Sequence, residues 1–302
     1  MKDRGETYCL SAEFVLHGKY KILGVINEGG MGIVYLSYDL ILQQKVCIKE
    51  YFPRRYVMRK PGRCQVTVFE GEAARYFRQG VDQFVKEARI LACFENLESV
   101  VEVKDFFYEN GTAYMVMKYV TGENVKQCIE RSGCMESEEV LRIMRPIISS
   151  IGEIHKKGVL HGDISPDNIL ITKEGEGRLI DFGTARFYGM KEGEEKHSTV
   201  FFKRGYSAEE QYSEQASQGA YTDVYGVCTT MYFMLTGISP EEAVHRMIRD
   251  HVVPLTHFPH IRMKKYKKQA IMKGMAVKAQ NRYHSMEQLY HILYEKKFLF
   301  GF

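Results

Sequence analysis

A chain of 302 residues, 45% hydrophobic and 26% charged, is long enough for one large domain or two lobes around a sizeable core, and its composition excludes a fibrous or disordered protein. The formal net charge of +4 is too small to imply a nucleic-acid or membrane partner, no stretch reaches the apolar length of a membrane span, and MKDRGETYCLSAEF at the start lacks a signal-peptide core. Seven cysteines, an odd number without a C-x-x-C pair, argue against a disulfide framework or zinc site, so a soluble protein in a reducing, cytoplasmic compartment is expected.

The first third reads as sheet. YKILGVINE (20–28), GIVYLSYDL (32–40) and QKVCIKEYF (44–52) are short β-rich runs separated by polar or glycine turns, which predicts an antiparallel meander. Regularity lapses over 54–80, read as an insertion of turn-like character. It resumes in VDQFVKEARILACF (81–94), where Phe84, Val85, Ala88, Leu91 and Ala92 recur at helical spacing. Residues 100–120 then form two strands around the turn Asn110-Gly111.

Beyond Gly122 the period changes to that of helices. NVKQCIERSG (124–133) is followed by a helix with Ser137 as its expected N-cap, Pro146 inside it and Gly158 near its end. Four more helical segments cover 222–237, 240–250, 267–277 and 285–297. The basic run Arg262, Lys264, Lys265, Lys267, Lys268 is expected to be a solvated helix face. The fold class is therefore α+β, with an antiparallel sheet carrying one helix over 1–120 and a mainly helical part over 121–302.

Four local patterns carry chemistry. In INEGGMGIVY (26–35), Gly29 and Gly32 let the backbone bend closely over a ligand's phosphates, and the Gly30 and Met31 amides can point at anionic oxygens, although such a loop taken alone is equally a plain turn. Lys49, flanked by apolar residues on the third strand, needs a counter-charge when half-buried, and Glu87 on the helix 38 positions later is its natural partner. In HGDISPDNI, Asp163 and Asn168 stand five apart in one loop, the spacing at which an aspartate accepts a substrate hydroxyl's proton and an asparagine holds a metal. Thirteen positions after Asn168 comes Asp181 in IDFGTAR, a second metal ligand, with NILITKEGEGRLI between them reading as a β-hairpin.

Taken together, GGMGIVY, VCIKEYFP, HGDISPDNI, DFG and KRGYSAEEQY resemble the motifs of the eukaryotic-like (Hanks-type) serine/threonine protein kinases of bacteria, over roughly Tyr20 to Tyr294. The resemblance implies a two-lobed fold and transfer of the γ-phosphoryl group of ATP, with Mg²⁺ or Mn²⁺, to Ser/Thr hydroxyls of proteins in bacterial signalling. It implies Met117 as gatekeeper, Lys118 to Val120 as the hinge, and Ile26, Val34, Cys47 and Leu170 around the adenine, with Asn27 in the place of the glycine-rich loop's first glycine. It further implies that Glu210 pairs with Arg282 and that Asp223 braces the loop of Asp163. A thiol at Cys47 would be a candidate for oxidation or alkylation, and the tail Phe298, Phe300, Phe302 is expected to pack on the chain's own helical part.

Two departures matter. Gly162 replaces the arginine that in this family reads a phosphorylated activation loop, and Ser165 replaces the lysine that contacts the transferred phosphoryl group. Lys203, where many relatives carry a threonine, is the candidate replacement cation. HGD-x-x-x-x-N also suits small-molecule (aminoglycoside-like) phosphotransferases, and a nucleotide-binding pseudokinase scaffold is the third reading. KRGYSAEEQY favours a protein substrate, and the retention of Lys49, Glu87, Asp163, Asn168 and Asp181 favours catalysis. Nothing in the sequence sets the oligomeric state. Without the arginine, turnover is expected not to require phosphorylation within 184–205, where Ser198 and Thr199 are the candidate autophosphorylation sites. Phosphatase-treated protein should match untreated protein in a steady-state assay, and an inactive dephosphorylated form would contradict this.

Overall fold

The computed structural model of the chain describes residues 8–182, 186–187, 203–213 and 215–295. Gly183, Ser198, Thr199 and the tail with Phe298, Phe300 and Phe302 lie outside the described residues. The chain divides into two compact units, one of Met1–Glu95 with Val101–Val120 and one of Asn96–Val100 with Thr121–Phe302.

The first unit contains β1 (Val15–Leu16), β2 (Tyr20–Glu28), β3 (Gly32–Asp39), β4 (Gln44–Tyr51), β5 (Val57–Arg59), β6 (Val66–Val68), α1 (Glu72–Ala92), β7 (Val103–Glu109) and β8 (Thr112–Lys118). Six strands make one antiparallel sheet in the order β1-β2-β3-β4-β8-β7. Asn110 and Gly111 both take positive φ, 52° and 75°, at the β7–β8 turn, as a two-residue hairpin of matching twist requires.

Alternation along β4 sends Cys47, Lys49 and Tyr51 to one face of the sheet and Val46, Ile48 and Glu50 to the other. Helix α1 lies on the first face, where the Tyr51 ring meets Phe77 at 5.4 Å and Phe84 at 5.8 Å. The helix begins at Glu72, well before the expected start at 81, so the irregular stretch 54–80 is in fact a β5–β6 hairpin followed by helix. Gly80 hid this, since a glycine inside an apolar pattern reads as a break. A Cβ at Gly80 would come within 1.7 Å of the Tyr51 hydroxyl, so the residue lets that ring lie against the helix.

The hairpin carries Arg59, which pairs with Glu50 below the second face. Both side chains are fully buried, and the pair is completed by hydrogen bonds donated to Glu50 from Tyr35 at 2.8 Å and Tyr114 at 2.7 Å. Burial pushes both tyrosines' hydroxyl pKa upward, with the neighbouring Glu50 charge adding to the effect.

The second unit contains β9 (Gly122–Asn124), α2 (Val125–Ser132), α3 (Ser137–Lys156), β10 (Val159–Leu160), β11 (Ile169–Thr172), β12 (Gly177–Leu179), β13 (Arg186–Phe187), α4 (Ala220–Thr236), α5 (Ala243–Ile248), α6 (Lys265–Gly274) and α7 (Met286–Tyr290), which runs on as a π-helical turn His291–Glu295. β11 pairs with β12 as the expected hairpin and with β9 on its other side. The N-cap of α3 is Glu136, one residue before the expected Ser137, which is itself buried. Helix α4 is buried nearly all round and forms the centre of the unit with α3. The basic run is only partly a solvated face: Lys268 is buried, and the Lys267 ammonium lies 5.8 Å from the Tyr294 ring centroid, a cation held against an aromatic ring.

Truncating one partner of a buried ion pair leaves the other charge uncompensated. Arg59→Met should therefore cost about 3–5 kcal/mol in urea unfolding, and a loss below about 1 kcal/mol would mean that water reaches Glu50.

Candidate active site

Of the residues expected to contact a nucleotide, Val34, Cys47, Lys49 and Met117 fall on one face of the first unit's sheet. In register, Val34 sits opposite Lys49 and Cys47 opposite Met117, and directly opposed residues of an antiparallel pair share a face. Lys118 ends β8, and its amide donates to the Glu102 carbonyl at 2.9 Å. Val120 follows it at the end of this unit. Ile26 falls in the β2 irregularity between Val25 and Asn27 and is 48% exposed. Burial pushes the Cys47 thiol up to about 12, so it is a small apolar surface and not a reactive thiolate.

The glycine-rich turn is a two-residue hairpin loop. The Gly29 amide donates to the Gly32 carbonyl at 2.9 Å, which leaves Gly30 and Met31 at the tip. A side chain at Gly32 would meet the Glu50 carbonyl at 2.5 Å, so glycine is required there by close strand approach. Asn27 pairs with Val34, and its side chain accepts from the Glu28 amide at 2.9 Å. On the same face, Lys49 Nζ donates to Glu87 Oε1 at 2.8 Å, with side chains only 17% and 5% exposed. Glu87 follows Phe84 by three on α1, and the ammonium lies 5.8 Å from that ring's centroid.

The second unit gathers the other expected residues. Gly162 has φ 77°, a conformation costly for any residue but glycine. The Gly162 amide donates to Asp223 Oδ1 at 2.8 Å, and the His161 amide and His155 Nε2 donate to Oδ2 at 2.9 and 2.8 Å. Burial acts to raise the Asp223 carboxyl, but these bonds outweigh it and hold the group below its ordinary range. Burial lowers His161, whose neutral ring accepts the Asp163 amide at Nδ1 at 3.2 Å. Gln211 donates to the Gly162 carbonyl at 2.8 Å, and a side chain at Gly226 on α4 would come within 2.9 Å of the Ile164 carbonyl.

Asn168 is tied to Asp163 twice: its Nδ2 donates to the Asp163 carbonyl at 2.8 Å and to Oδ2 at 2.7 Å, which leaves Oδ1 to serve as a ligand. The Ile180 amide donates to the Asn168 carbonyl at 3.1 Å and so links this loop to the residue before Asp181. An amide oxygen and a carboxylate are hard donors, and two of them suit Mg²⁺, which takes one or two protein oxygens and completes its shell with phosphates and water. Leu170 lies on β11, opposite Asn124 and Arg178.

Lys203 reaches the same loop. Its Nζ donates to the buried Ser165 Oγ at 2.8 Å and lies 3.4 Å from Asp167 Oδ2 and 3.8 Å from Asp163 Oδ2. Its backbone is fixed by a hydrogen bond from its amide to Ser207 Oγ and by the Tyr206 and Ser207 amides on its carbonyl, each at 2.9 Å. Lys126 on α2 approaches Asp167 at 3.5 Å. Burial raises Asp163 to about 6, the Lys203 charge opposes that rise, and Asp181 adds to it. Further out, Glu210 pairs with Arg282 at 2.8 Å and accepts Thr222 Oγ1 at 2.8 Å.

Sequence reasoning missed His155, Gln211, Ser207 and Gly226. His155 sits in an amphipathic helix and Gly226 in an apolar run, so nothing local marks either as a support of the loop.

A family model described as protein kinase domain matches residues 20–294. The chain is 30% identical to the serine/threonine-protein kinase PrkC of Bacillus subtilis over 225 residues, 74% of this chain and 31% of that protein. It is 27% identical to the serine/threonine-protein kinase PknD of Protochlamydia amoebophila, over 89% of this chain and 29% of that one. The chain thus spans about a third of the length of these relatives. A solved structure titled PpkA-294 apo form superimposes with TM-score 0.82 at 28% identity, over 95% of this chain and 99% of that one.

The raised Asp163 pKa has a stability consequence. A carboxyl whose folded-state pKa lies above its unfolded value favours the fold below about pH 4 and loses that contribution as pH rises through about 6. Asp163→Asn should therefore unfold later than the parent at pH 8, by about 1–2 kcal/mol, with the two converging toward pH 4 in urea titrations. A less stable variant at pH 8 would mean that the ionised carboxylate is not strained.

Two compact units of the expected kinds, the ion pair Lys49–Glu87, the loop of Asp163 and Asn168 tied to Asp223, and a family match over 20–294 agree with one another: the chain belongs to the protein kinase domain family.

Proposed function

We propose that this chain transfers the γ-phosphoryl group of Mg·ATP to serine or threonine hydroxyls of protein substrates. The observation that carries the reading is the convergence on Asp163 of Asn168 and Lys203, a base with a metal ligand on one oxygen and a cation nearby. In this reading Asp163 accepts the proton of the attacking hydroxyl, which requires its carboxylate form. Lys49, oriented by Glu87, binds the nucleotide's phosphates together with the tip of the glycine-rich turn, and the Val34, Cys47 and Met117 surface receives the adenine along with the Lys118–Val120 backbone. Asn168 and Asp181 would hold the Mg²⁺, which when bound neutralises charge on the phosphates. Mn²⁺ would suit the same oxygens.

Ser165 carries no charge, and in this reading Lys203 takes the role of the lysine that the family places at that position. Ser165 Oγ, fully buried and accepting from Nζ, aims the ammonium toward Asp163, where negative charge accumulates during transfer. The cation also holds down the proton affinity of Asp163 and so keeps more of the base ionised near neutrality. We further propose a cytoplasmic setting: none of the seven cysteines is in a disulfide, and among the described residues no helix is long and apolar enough to cross a membrane.

Radiolabel transfer from Mg·ATP, run on a generic protein substrate and on an aminoglycoside panel, tests the reading. Label should appear on protein with a rate that rises with pH around 6, and Asp163→Asn should lower it by about 10²–10⁴. Lys203→Ala should lower kcat about 100-fold or more and move the rising limb of the pH profile upward, with partial recovery in Lys203→Arg. Label on the small molecules alone would replace the reading with a phosphotransferase, and nucleotide binding without transfer would replace it with a scaffold. An unchanged rate and profile in Lys203→Ala would remove Lys203 from the mechanism.

A further inference from the structure

The hairpin inserted after β4 has no part in the chemistry above, yet its contacts converge on the glycine-rich turn. Arg54, at its entry, donates from Nη2 to Glu28 Oε2 at 2.5 Å, and Glu28 is the last residue of β2 before that turn. The same carboxylate accepts the Tyr8 hydroxyl at 2.5 Å, and its other oxygen accepts the Cys9 thiol at 3.5 Å. The Tyr8 hydrogen bond, with help from Arg54, holds the Glu28 carboxyl below its ordinary range, so the grip is charged at neutral pH.

Tyr8 is itself held from below. Arg59 donates Nη1 to the Tyr8 carbonyl at 2.6 Å and Nε to the Cys64 carbonyl at 2.9 Å, while the Arg54 guanidinium lies 4.4 Å from the Tyr8 ring centroid. The other side of the turn is gripped through Phe52. Its amide donates to the Met31 carbonyl at 3.0 Å, and its ring stacks on Tyr8 at 5.9 Å and lies 4.9 Å from the Arg59 guanidinium. The residue entering the turn, Glu28, and the tip residue Met31 are thus both tied to one cluster made of the hairpin and the segment at Tyr8.

We propose that Arg54, Tyr8 and Glu28 are positioning residues that hold the glycine-rich turn in its nucleotide-receiving shape, so that the hairpin and the Tyr8 segment set the affinity for Mg·ATP and not the rate of transfer. The inference rests on the ATP reading above. A short glycine turn has many accessible conformations, and ordering it before the ligand arrives removes that cost from binding. None of the three touches the reacting groups in this reading, so transfer in the saturated complex proceeds as before.

The test compares Arg54→Ala, Tyr8→Phe and Arg54→Lys with the parent in three measurements. These are the Kd for Mg·ATP by competition with a fluorescent nucleotide, KM and kcat in steady state, and amide hydrogen exchange over residues 29–32. Arg54→Ala should raise Kd and KM 3- to 10-fold, leave kcat within 2-fold and speed exchange at the turn. Tyr8→Phe should act in the same direction, and Arg54→Lys should recover at least half of the lost affinity. A drop in melting temperature with Kd and KM unchanged would overturn the proposal in favour of a merely structural contact, as would a loss confined to kcat. A parent protein that binds no nucleotide would take the ATP reading down together with this one, whereas a parent that binds and variants that bind equally would sink this one alone.

Discussion

A buried carboxylate, Asp223, fixes the geometry on which everything around Asp163 depends. It sits on the central helix α4 and collects two consecutive backbone amides, His161 and Gly162, plus His155 from α3. A charge in that position is tolerable only because three donors surround it, and it forces the backbone of the loop into one path. That path includes a left-handed residue at Gly162 and a close approach of the Ile164 carbonyl to Gly226. The Asp163 carboxylate and its Asn168 clamp follow from the backbone so held.

The family's usual arginine before the aspartate would occupy the left-handed position at a conformational cost, whereas glycine adopts it freely. The substitution that looks like a loss in the sequence is therefore also a relief of strain. The first unit makes a comparable compromise in charge. Its Glu50–Arg59 pair fastens the inserted hairpin to the back of the sheet, although a purely apolar contact could have done the same with less desolvation. What the ion pair adds is direction, because Arg59 donors also fix the carbonyls of Tyr8 and Cys64.

How much of this was legible in the sequence depended on whether the cause was local. The meander, the Asn110-Gly111 turn and the hairpin between Asn168 and Asp181 follow from residue period and turn chemistry, which are properties of neighbours along the chain. Lys49 with Glu87, and Asp163 with Asn168, were legible because spacing and charge demand a partner. The start of α1 was not, since Gly80 answers to Tyr51, far away in the sequence. His155, Gln211 and Gly226 were hidden for the same reason: each serves the loop from a different element, and only folding brings them there. The partial burial of the basic run was missed because charge alone says nothing of where a lysine's stem lies.

Lys203 has a thermodynamic consequence beyond its nearness to the reacting groups. Its ammonium depresses the proton affinity of Asp163 across 3.8 Å, and it is borne on a segment separate in the chain from the loop it serves. By reciprocity, whatever docking of that segment does to the proton on Asp163, removing the proton does to the docking, with the same free energy and the same sign. The docked segment is favoured in the ionised state of the base, and protonation weakens its hold. Order in the 203–207 turn and ionisation of Asp163 are in that sense a single coupled equilibrium, which makes acidity a ligand of the segment in its own right.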